Sequence, residues 1–380
     1  MPDFKFPVYR PNLSGNERRY VNECLETNWI SSKGAFVGRF EKEFAQYAGT
    51  PSATSCCNGT VSLHLALLAL NIQPGDEVIV PTFTYVASVN AIRYVGAIPV
   101  FVDSDPQTWQ MDINDVKKKI SAKTKAVMAV HLYGQACDMD ALASLCQQRN
   151  LYLVEDCAEA IGTRIGSKHV GTFGDIASFS FFGNKTITTG EGGMLIANNP
   201  ALIARCAHLK SQAVSPERTY WHDDIGYNYR MTNICAAIGV AQLERIESLM
   251  AQKRSIAMNY QHGLQSINDV KLHAEVPGTT HSFWMVSLQV KNEAQRNGLR
   301  NHLAQAGIET RPGFPPSHLF PMHAEFARGQ HFPVAETLAS TTINLPSYPD
   351  LTPQDVGFIC QCIREYFGVN HGHRNEPSAT

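Results

Sequence analysis

The sequence predicts an α/β protein: a mostly parallel sheet wrapped by helices, followed by a smaller α+β domain. Three observations carry that prediction. Between about Ser52 and Asn198, short β-branched or apolar runs (77–80, 98–102, 126–132, 151–155, 177–182 and 194–197) alternate with helical patterns, the signature of strands joined by crossover helices. The runs are apolar throughout rather than alternating, as strands covered on both faces are. A chain of 380 residues is also long for one core, which favours two domains.

In chain order, a first helix is expected where Ser14-Gly15-Asn16-Glu17 has the Ser-x-x-Glu form that satisfies two orphan amides, running to about Glu26. A second places Phe40, Phe44 and Tyr47 on one stripe and stops at Gly49. Strand-like 53–56 then leads through Asn58-Gly59-Thr60 into a helix over 61–70. The alternating segment follows, then a polar loop over 209–227, of the long kind that is often functional. A helix over 233–247 closes the large domain. Strand-like 283–290, a helix over 294–306 and a final helix over 353–367 form the smaller one. The divisions are therefore an arm and helix over 1–30, a large domain over 31–247, a small domain over 248–367, and a polar tail over 368–380. That tail is expected to be disordered, with His371 and His373 a solvated pair.

Composition narrows the function. Charged residues make up 17%, below the usual quarter, which suggests a large core or a subunit interface. A net charge of -2 without a run of Lys or Arg leaves no electrostatic footprint for a nucleic-acid backbone or an anionic membrane. The N-terminus lacks an apolar stretch of signal-peptide length, and the apolar segment 78–102 is broken by Pro81, Asn90, Arg93 and Pro99. A cytoplasmic protein is expected. Its ten cysteines are scattered, without a C-x-x-C pair, and read as reduced, mostly buried thiols. Cys56-Cys57 and Cys360-x-Cys362 lack ligands at zinc spacing, so no metal site is expected.

In doubly wound folds ligands bind beyond the carboxyl ends of the strands. Asn58-Gly59-Thr60 there suits either a helix cap with Thr60 as capping hydroxyl or a phosphate at a helix N-terminus. Asp156 closes a strand and reads equally as a cap for the next helix or as an acid that keeps a ring nitrogen protonated. Glu159, three residues on, faces the same way if the chain turns helical. Lys185 sits in a glycine- and hydroxyl-rich turn between two apolar strands. An exposed loop lysine is the default there, but desolvation in such a turn lowers an amine's pKa and frees it for Schiff-base chemistry.

These residues resemble the sugar aminotransferases of the DegT/DnrJ/EryC1/StrS group. The resemblance runs through 29–32, 58–60, 81–85, Glu155-Asp156, 180–194, 226–231, 307–312 and 344–346. It implies fold type I and pyridoxal 5'-phosphate (PLP) as cofactor, passing through its pyridoxamine form. By that resemblance Lys185 binds the cofactor covalently, Asp156 pairs with its ring nitrogen, Gly59, Thr60 and Ser180 hold its phosphate, and Tyr85 stacks on its ring. Asn228 is similar to the residue that reaches the phosphate from a second subunit, which implies a homodimer with shared active sites; pairing of dimers into a tetramer is left open. At Glu159 many members carry Gln or His that donates toward the ring hydroxyl. A carboxylate donates only when protonated, so either a raised pKa or a contact elsewhere is expected. A residue bulkier than Gly313 and a Tyr near Pro315 are also expected from the family pattern.

The reaction so implied moves an amino group from L-glutamate to C4 of a nucleotide-linked 4-keto-6-deoxy sugar, a surface-polysaccharide (O-antigen) precursor. Segments 130–135, 181–188 and 220–222 are similar to the subgroup that uses GDP-4-keto-6-deoxy-D-mannose; dTDP- and UDP-linked sugars are the alternatives. Arg230, Arg311 and Lys210 are candidates for the diphosphate, with surface salt bridges as the other reading. Trp29, Ser31, Trp221 and His318 are candidates for the sugar or base, with core packing as the other. A non-catalytic regulator on the same fold is the rival from another class. Lys185 argues against a dehydratase, in which a histidine replaces that lysine.

Overall fold

The computed structural model describes residues 4–369; most of the expected tail, with His371 and His373, lies outside the described residues. Its first helices are α1 (Glu17–Glu26) and α2 (Ala35–Ala48). The Ser14/Glu17 cap does not form. Asn16 stands at the N-cap without a side-chain bond, Ser14 donates to Asn12 Oδ1 at 2.8 Å, and Glu17 is buried, accepting from Gln242 Nε2 at 2.6 Å. A tertiary partner has taken the carboxylate that local pattern assigned to capping. Helix α2 ends as its sequence predicts, at Gly49 with a left-handed φ of 81°. Its Phe40 and Phe44 pack on Phe181 and Phe179 at 5.0 Å between ring centres.

The main sheet is built by β1 (Ser52–Cys56), β2 (Glu77–Pro81), β3 (Ile98–Val102), β4 (Thr124–Val130), β5 (Tyr152–Asp156), β8 (Ile176–Ser180) and β9 (Gly193–Ala197). Between them lie α3 (Gly59–Ala69), α4 (Val86–Tyr94), α5 (Ile113–Lys119), α6 (Met139–Arg149) and a short hairpin of β6 (Arg164–Ile165) and β7 (Lys168–His169). Strand order is β1-β9-β8-β5-β4-β2-β3. Four neighbouring pairs from β3 to β8 are parallel, while β9 runs antiparallel to β8 and β1. Every residue of β8 and β9 is buried, as expected for strands covered on both faces. The strand expected over 126–132 ends at Val130, and Tyr133 beyond it turns at φ 57°, a conformation a non-glycine residue adopts only under local constraint.

Helix α7 (Pro200–Leu209) leads into the long polar segment and then α8 (Asn233–Leu243). The helix expected over 233–247 breaks after Leu243, and α9 (Ile246–Leu264) runs through the boundary expected at 247/248 without a linker. A second sheet, order β10-β12-β14-β13, is made by β10 (Lys271–Leu272), β12 (Val286–Gln289), β13 (Arg311–Pro312) and β14 (Thr342–Leu345), while β11 (Thr279–Thr280) pairs with β6. Helices α9, α10 (Glu293–Gln305) and α12 (Pro353–Tyr366) contribute to the core beside that sheet, and α11 (Pro333–Thr341) precedes β14. The reciprocal capping box occurs at α12, between Thr352 and Asp355. Eight of the ten cysteines are buried and all are free. Among the described residues no helix is long and apolar enough to cross a membrane.

Candidate active site

Register places the ends that matter on one edge of the main sheet. Cys56 and Ser180 both pair with Gly193, and Val130 pairs with Asp156. A cavity of about 920 Å³ opens there, lined by Gly59, Thr60, Tyr85, Asp156, Glu159, Ser180, Lys185 and Arg311 among others. Eight residues singled out in the sequence, spread over more than 250 positions, thus share one hollow.

Asp156 does not cap a helix, because the chain after β5 turns without forming one. It is buried, accepting from Ser88 Oγ at 2.7 Å and from the Ala158 amide at 3.1 Å. Burial pushes its pKa up, opposed by those donors and by Lys185. Lys185 is held in the turn after β8, its amide bonded to the Phe182 carbonyl at 2.9 Å. Its side chain is 13% exposed; Nζ lies 3.7 Å from Glu159 Oε1 and 4.0 Å from the centre of the Trp284 ring. Desolvation lowers the amine's pKa against the pull of Glu159 and Asp156.

Glu159 meets both expectations at once. Burial raises its pKa to about 7, and Oε2 accepts from the Tyr133 amide at 2.8 Å, which gives the left-handed turn at Tyr133 a purpose. In the cofactor-free protein this carboxyl keeps its proton to about pH 7, whereas in the unfolded chain it ionises near 4.5. Stability from this group is full below about pH 4.5 and falls as pH rises toward 7. Thermal scans from acid to neutral pH are expected to show Glu159→Gln gaining on the wild type over that window, by on the order of 2–3 kcal/mol at its upper end. Parallel curves for the two proteins contradict this account.

At the other end of the cavity Asn58, not Thr60, caps α3, its Oδ1 accepting from the Val61 amide at 3.0 Å. The Thr60 hydroxyl is left out of the cap. A Cβ added to Gly59 would stand 2.7 Å from that of Ser180, so glycine is required for α3 to approach β8 this closely. The helix N-terminus, its amides and the Ser180 hydroxyl form a cradle for an anion. Tyr85, 57% exposed, and Phe314 are 5.6 Å apart at the mouth. The bulk expected at Gly313 would crowd its neighbours, since a Cβ there would lie 3.1 Å from Thr342 Cβ and 3.3 Å from the Leu338 carbonyl, and they would have to give by a few tenths of an ångström. Phe314 supplies the aromatic surface instead, stacked 5.5 Å from Tyr133.

Other candidates are not part of this cavity in the single chain. Lys210 is buried and bonded to Glu41 and the Ser55 carbonyl, so it holds α2 against β1. His318 packs on Phe332 and bonds to Thr82 at 2.7 Å. Trp221 lies under Arg218 at 3.8 Å. The carbonyls of Trp29 and Ser31 accept from Asn233. Asn228 accepts from Arg230 at 2.9 Å, away from the cavity. Arg311 does line it, with Glu309 3.5 Å away.

The sequence reading assigned no role to Ser88, Trp284 or Tyr133, which reach the site through folding; Tyr133 falls in the matched segment 130–135, but no local pattern marks Ser88 or Trp284. It also missed Asn184, which lines the cavity beside Lys185 and whose buried Oδ1 has no hydrogen-bond partner among the described residues. Behind the site, His131, Glu155 and Cys157 cluster as potential metal ligands. Glu155 already accepts from His131 and the amides of Gly171, Phe173 and Gly174, and His131 Nδ1 accepts from the Cys137 amide. The cluster is satisfied as a hydrogen-bonded core.

The model of the DegT/DnrJ/EryC1/StrS aminotransferase family matches residues 11–364. The chain belongs to the DegT/DnrJ/EryC1/StrS aminotransferase family. Within it, the chain is 55% identical to GDP-perosamine synthase of Escherichia coli O157:H7, covering 95% of this chain and 98% of that one. It is 52% identical to GDP-perosamine synthase of Vibrio cholerae, covering 95% and 99%. The fold matches the PLP-form of Spr1654 from Streptococcus pneumoniae with a TM-score of 0.90 and 28% identity, covering 96% and 99%. PLP is the cofactor of this sugar-aminotransferase group, and the donor set fits it: a buried carboxylate for a protonated ring nitrogen, an amide-and-hydroxyl cradle for phosphate, a desolvated amine between them, and the orphaned Asn184 Oδ1. A family site of this make-up can hold the cofactor and move protons beside it.

Proposed function

We propose that the chain transfers the amino group of L-glutamate to C4 of GDP-4-keto-6-deoxy-D-mannose, giving GDP-perosamine. End-to-end identity of 55% with a protein of that activity's name carries the choice of sugar nucleotide; the cavity geometry supports the chemistry. PLP, when bound, supplies an electron sink conjugated to the amine being transferred. Asp156, buried and oriented by Ser88, holds a proton on the ring nitrogen. Gly59, Thr60 and Ser180 anchor the phosphate. Lys185 Nζ, its pKa lowered by desolvation, would move a proton from the donor's α carbon to the cofactor's C4' carbon in the first half of the cycle and from there to C4 of the sugar in the second, so one group would serve as both base and acid. Glu159 tunes that amine through its 3.7 Å contact. Arg311, a cation at the cavity, is the residue we assign to an anionic substrate group.

Both substrates pass through one site in turn, in a ping-pong cycle. We read the enzyme as a cytoplasmic homodimer in which Asn228 and the exposed Trp29, Tyr220, Trp221 and Ile225 face the second subunit, and in which 31–247 and 248–367 act as large and small domains. Turnover measured with GDP-, dTDP- and UDP-linked 4-keto-6-deoxy sugars, with L-glutamate as donor, tests the proposal. A GDP preference of about 100-fold or more in kcat/KM is expected. Preference for a dTDP or UDP sugar refutes the choice of nucleotide, and failure of L-glutamate to bleach the bound cofactor's visible absorption refutes the transaminase itself.

A further inference from the structure

Lys253, in α9, is 1% exposed. Burial lowers its pKa to about 7, and no acidic group offsets that among the described residues. An ammonium buried without an anion is costly relative to an apolar side chain, so packing alone gives no reason for a lysine here. Its contacts do. Nζ donates to the carbonyls of Ser347 at 2.8 Å and Trp284 at 3.2 Å, and lies 5.3 Å from the centre of the Tyr9 ring, within cation–π range.

Those two aromatic residues both end on Lys185. The Trp284 indole N–H donates to the Asn184 carbonyl at 2.8 Å, and its ring lies 4.0 Å from Lys185 Nζ. The Tyr9 hydroxyl donates to the Lys185 carbonyl at 2.5 Å. The carbonyls on either side of the Lys185 Cα are therefore clamped by residues from the N-terminal arm and from the segment just before β12, and a single amine touches both clamps. We infer that Lys253 is a positioning residue for Lys185: by bracing Trp284 and Tyr9 it fixes the backbone from which the reactive side chain is aimed. The inference rests on the reading of Lys185 as the proton-transferring amine. Misplacing a reacting group by about 1 Å is enough to lose on the order of 100-fold in rate.

The test uses PLP-loaded full-length protein and two variants. Lys253→Met keeps length and removes the charge; Tyr9→Phe keeps the ring over Lys253 and removes one hydroxyl. Three quantities are measured: kcat and KM for both substrates, the pH midpoint of the bound cofactor's visible absorption, and the thermal midpoint. Lys253→Met is expected to lower kcat by about 10- to 100-fold with KM little changed, and to shift the absorption midpoint by about half a unit or more. Tyr9→Phe is expected to move both in the same direction, with the double variant falling short of the product of the two because they act on one peptide. A folded Lys253→Met protein with wild-type kcat and absorption midpoint overturns the inference, even if its thermal midpoint drops. Should Lys253→Met not fold, wild-type values of both quantities in Tyr9→Phe overturn it. A wild-type protein without transaminase activity instead refutes the proposed function, which separates the two failures.

Discussion

Replacing Lys185 with Ala is expected to lower transamination by on the order of 10⁴-fold or more while the protein stays folded and still binds PLP. The size follows from the double duty of one group. On the proposed mechanism the proton transfers of both halves of the cycle pass through Nζ, and the neighbours within reach offer no substitute. Glu159, 3.7 Å away, is held by the Tyr133 amide, and Asp156 is committed to Ser88 and Ala158. Folding should survive because the removed amine contributes a contact to a half-protonated carboxyl rather than to the core. Single-turnover bleaching with L-glutamate and a thermal scan read the two halves of the prediction. Turnover near the wild-type rate in Lys185→Ala removes the lysine from the mechanism.

Asp156→Asn is expected to reduce kcat by on the order of 10²–10⁴-fold, since removing one partner of a buried charged pair costs about 3–5 kcal/mol. Asparagine keeps the shape and can still accept from Ser88, so the loss isolates charge from packing. The substitution also removes a carboxylate whose pKa burial raises; the cofactor-free variant should therefore be at least as stable as the wild type near neutral pH, where an ionised buried Asp is most unfavourable. Lower activity with unchanged or higher thermal stability is the expected pair of results. A variant that retains wild-type kcat rules out a role for Asp156 in holding a ring proton.

Residues beside the ends of their own strands were legible from the chain. Gly59, Asp156 and Lys185 each follow an apolar run within a few positions and Ser180 lies inside one, at the end of β8, and the sheet carries such ends to one edge. Gly49 and the buried run at β8 were legible for the same local reason. Signals that depend on a partner misled. Ser14 and Glu17 have the spacing of a cap, yet Gln242, 225 residues away, competes better for the carboxylate. Lys210 has the chemistry of a phosphate ligand, yet Glu41 and the Ser55 carbonyl hold it.

By itself, then, the sequence determined the α/β class, because strand periodicity is short-range and survives any detail of packing, and its motifs determined the family; the cofactor roles we propose for Gly59, Asp156, Ser180 and Lys185, which line one cavity, come from that resemblance. Tertiary structure alone decided what surrounds those groups. It set Ser88 against Asp156, Tyr133 against Glu159, Phe314 at the mouth in place of bulk at Gly313, and the brace from Lys253 through Trp284 and Tyr9 to Lys185. Each of these joins residues from 26 to 244 positions apart, and such contacts depend on where helices and sheets pack, which no spacing along the chain encodes.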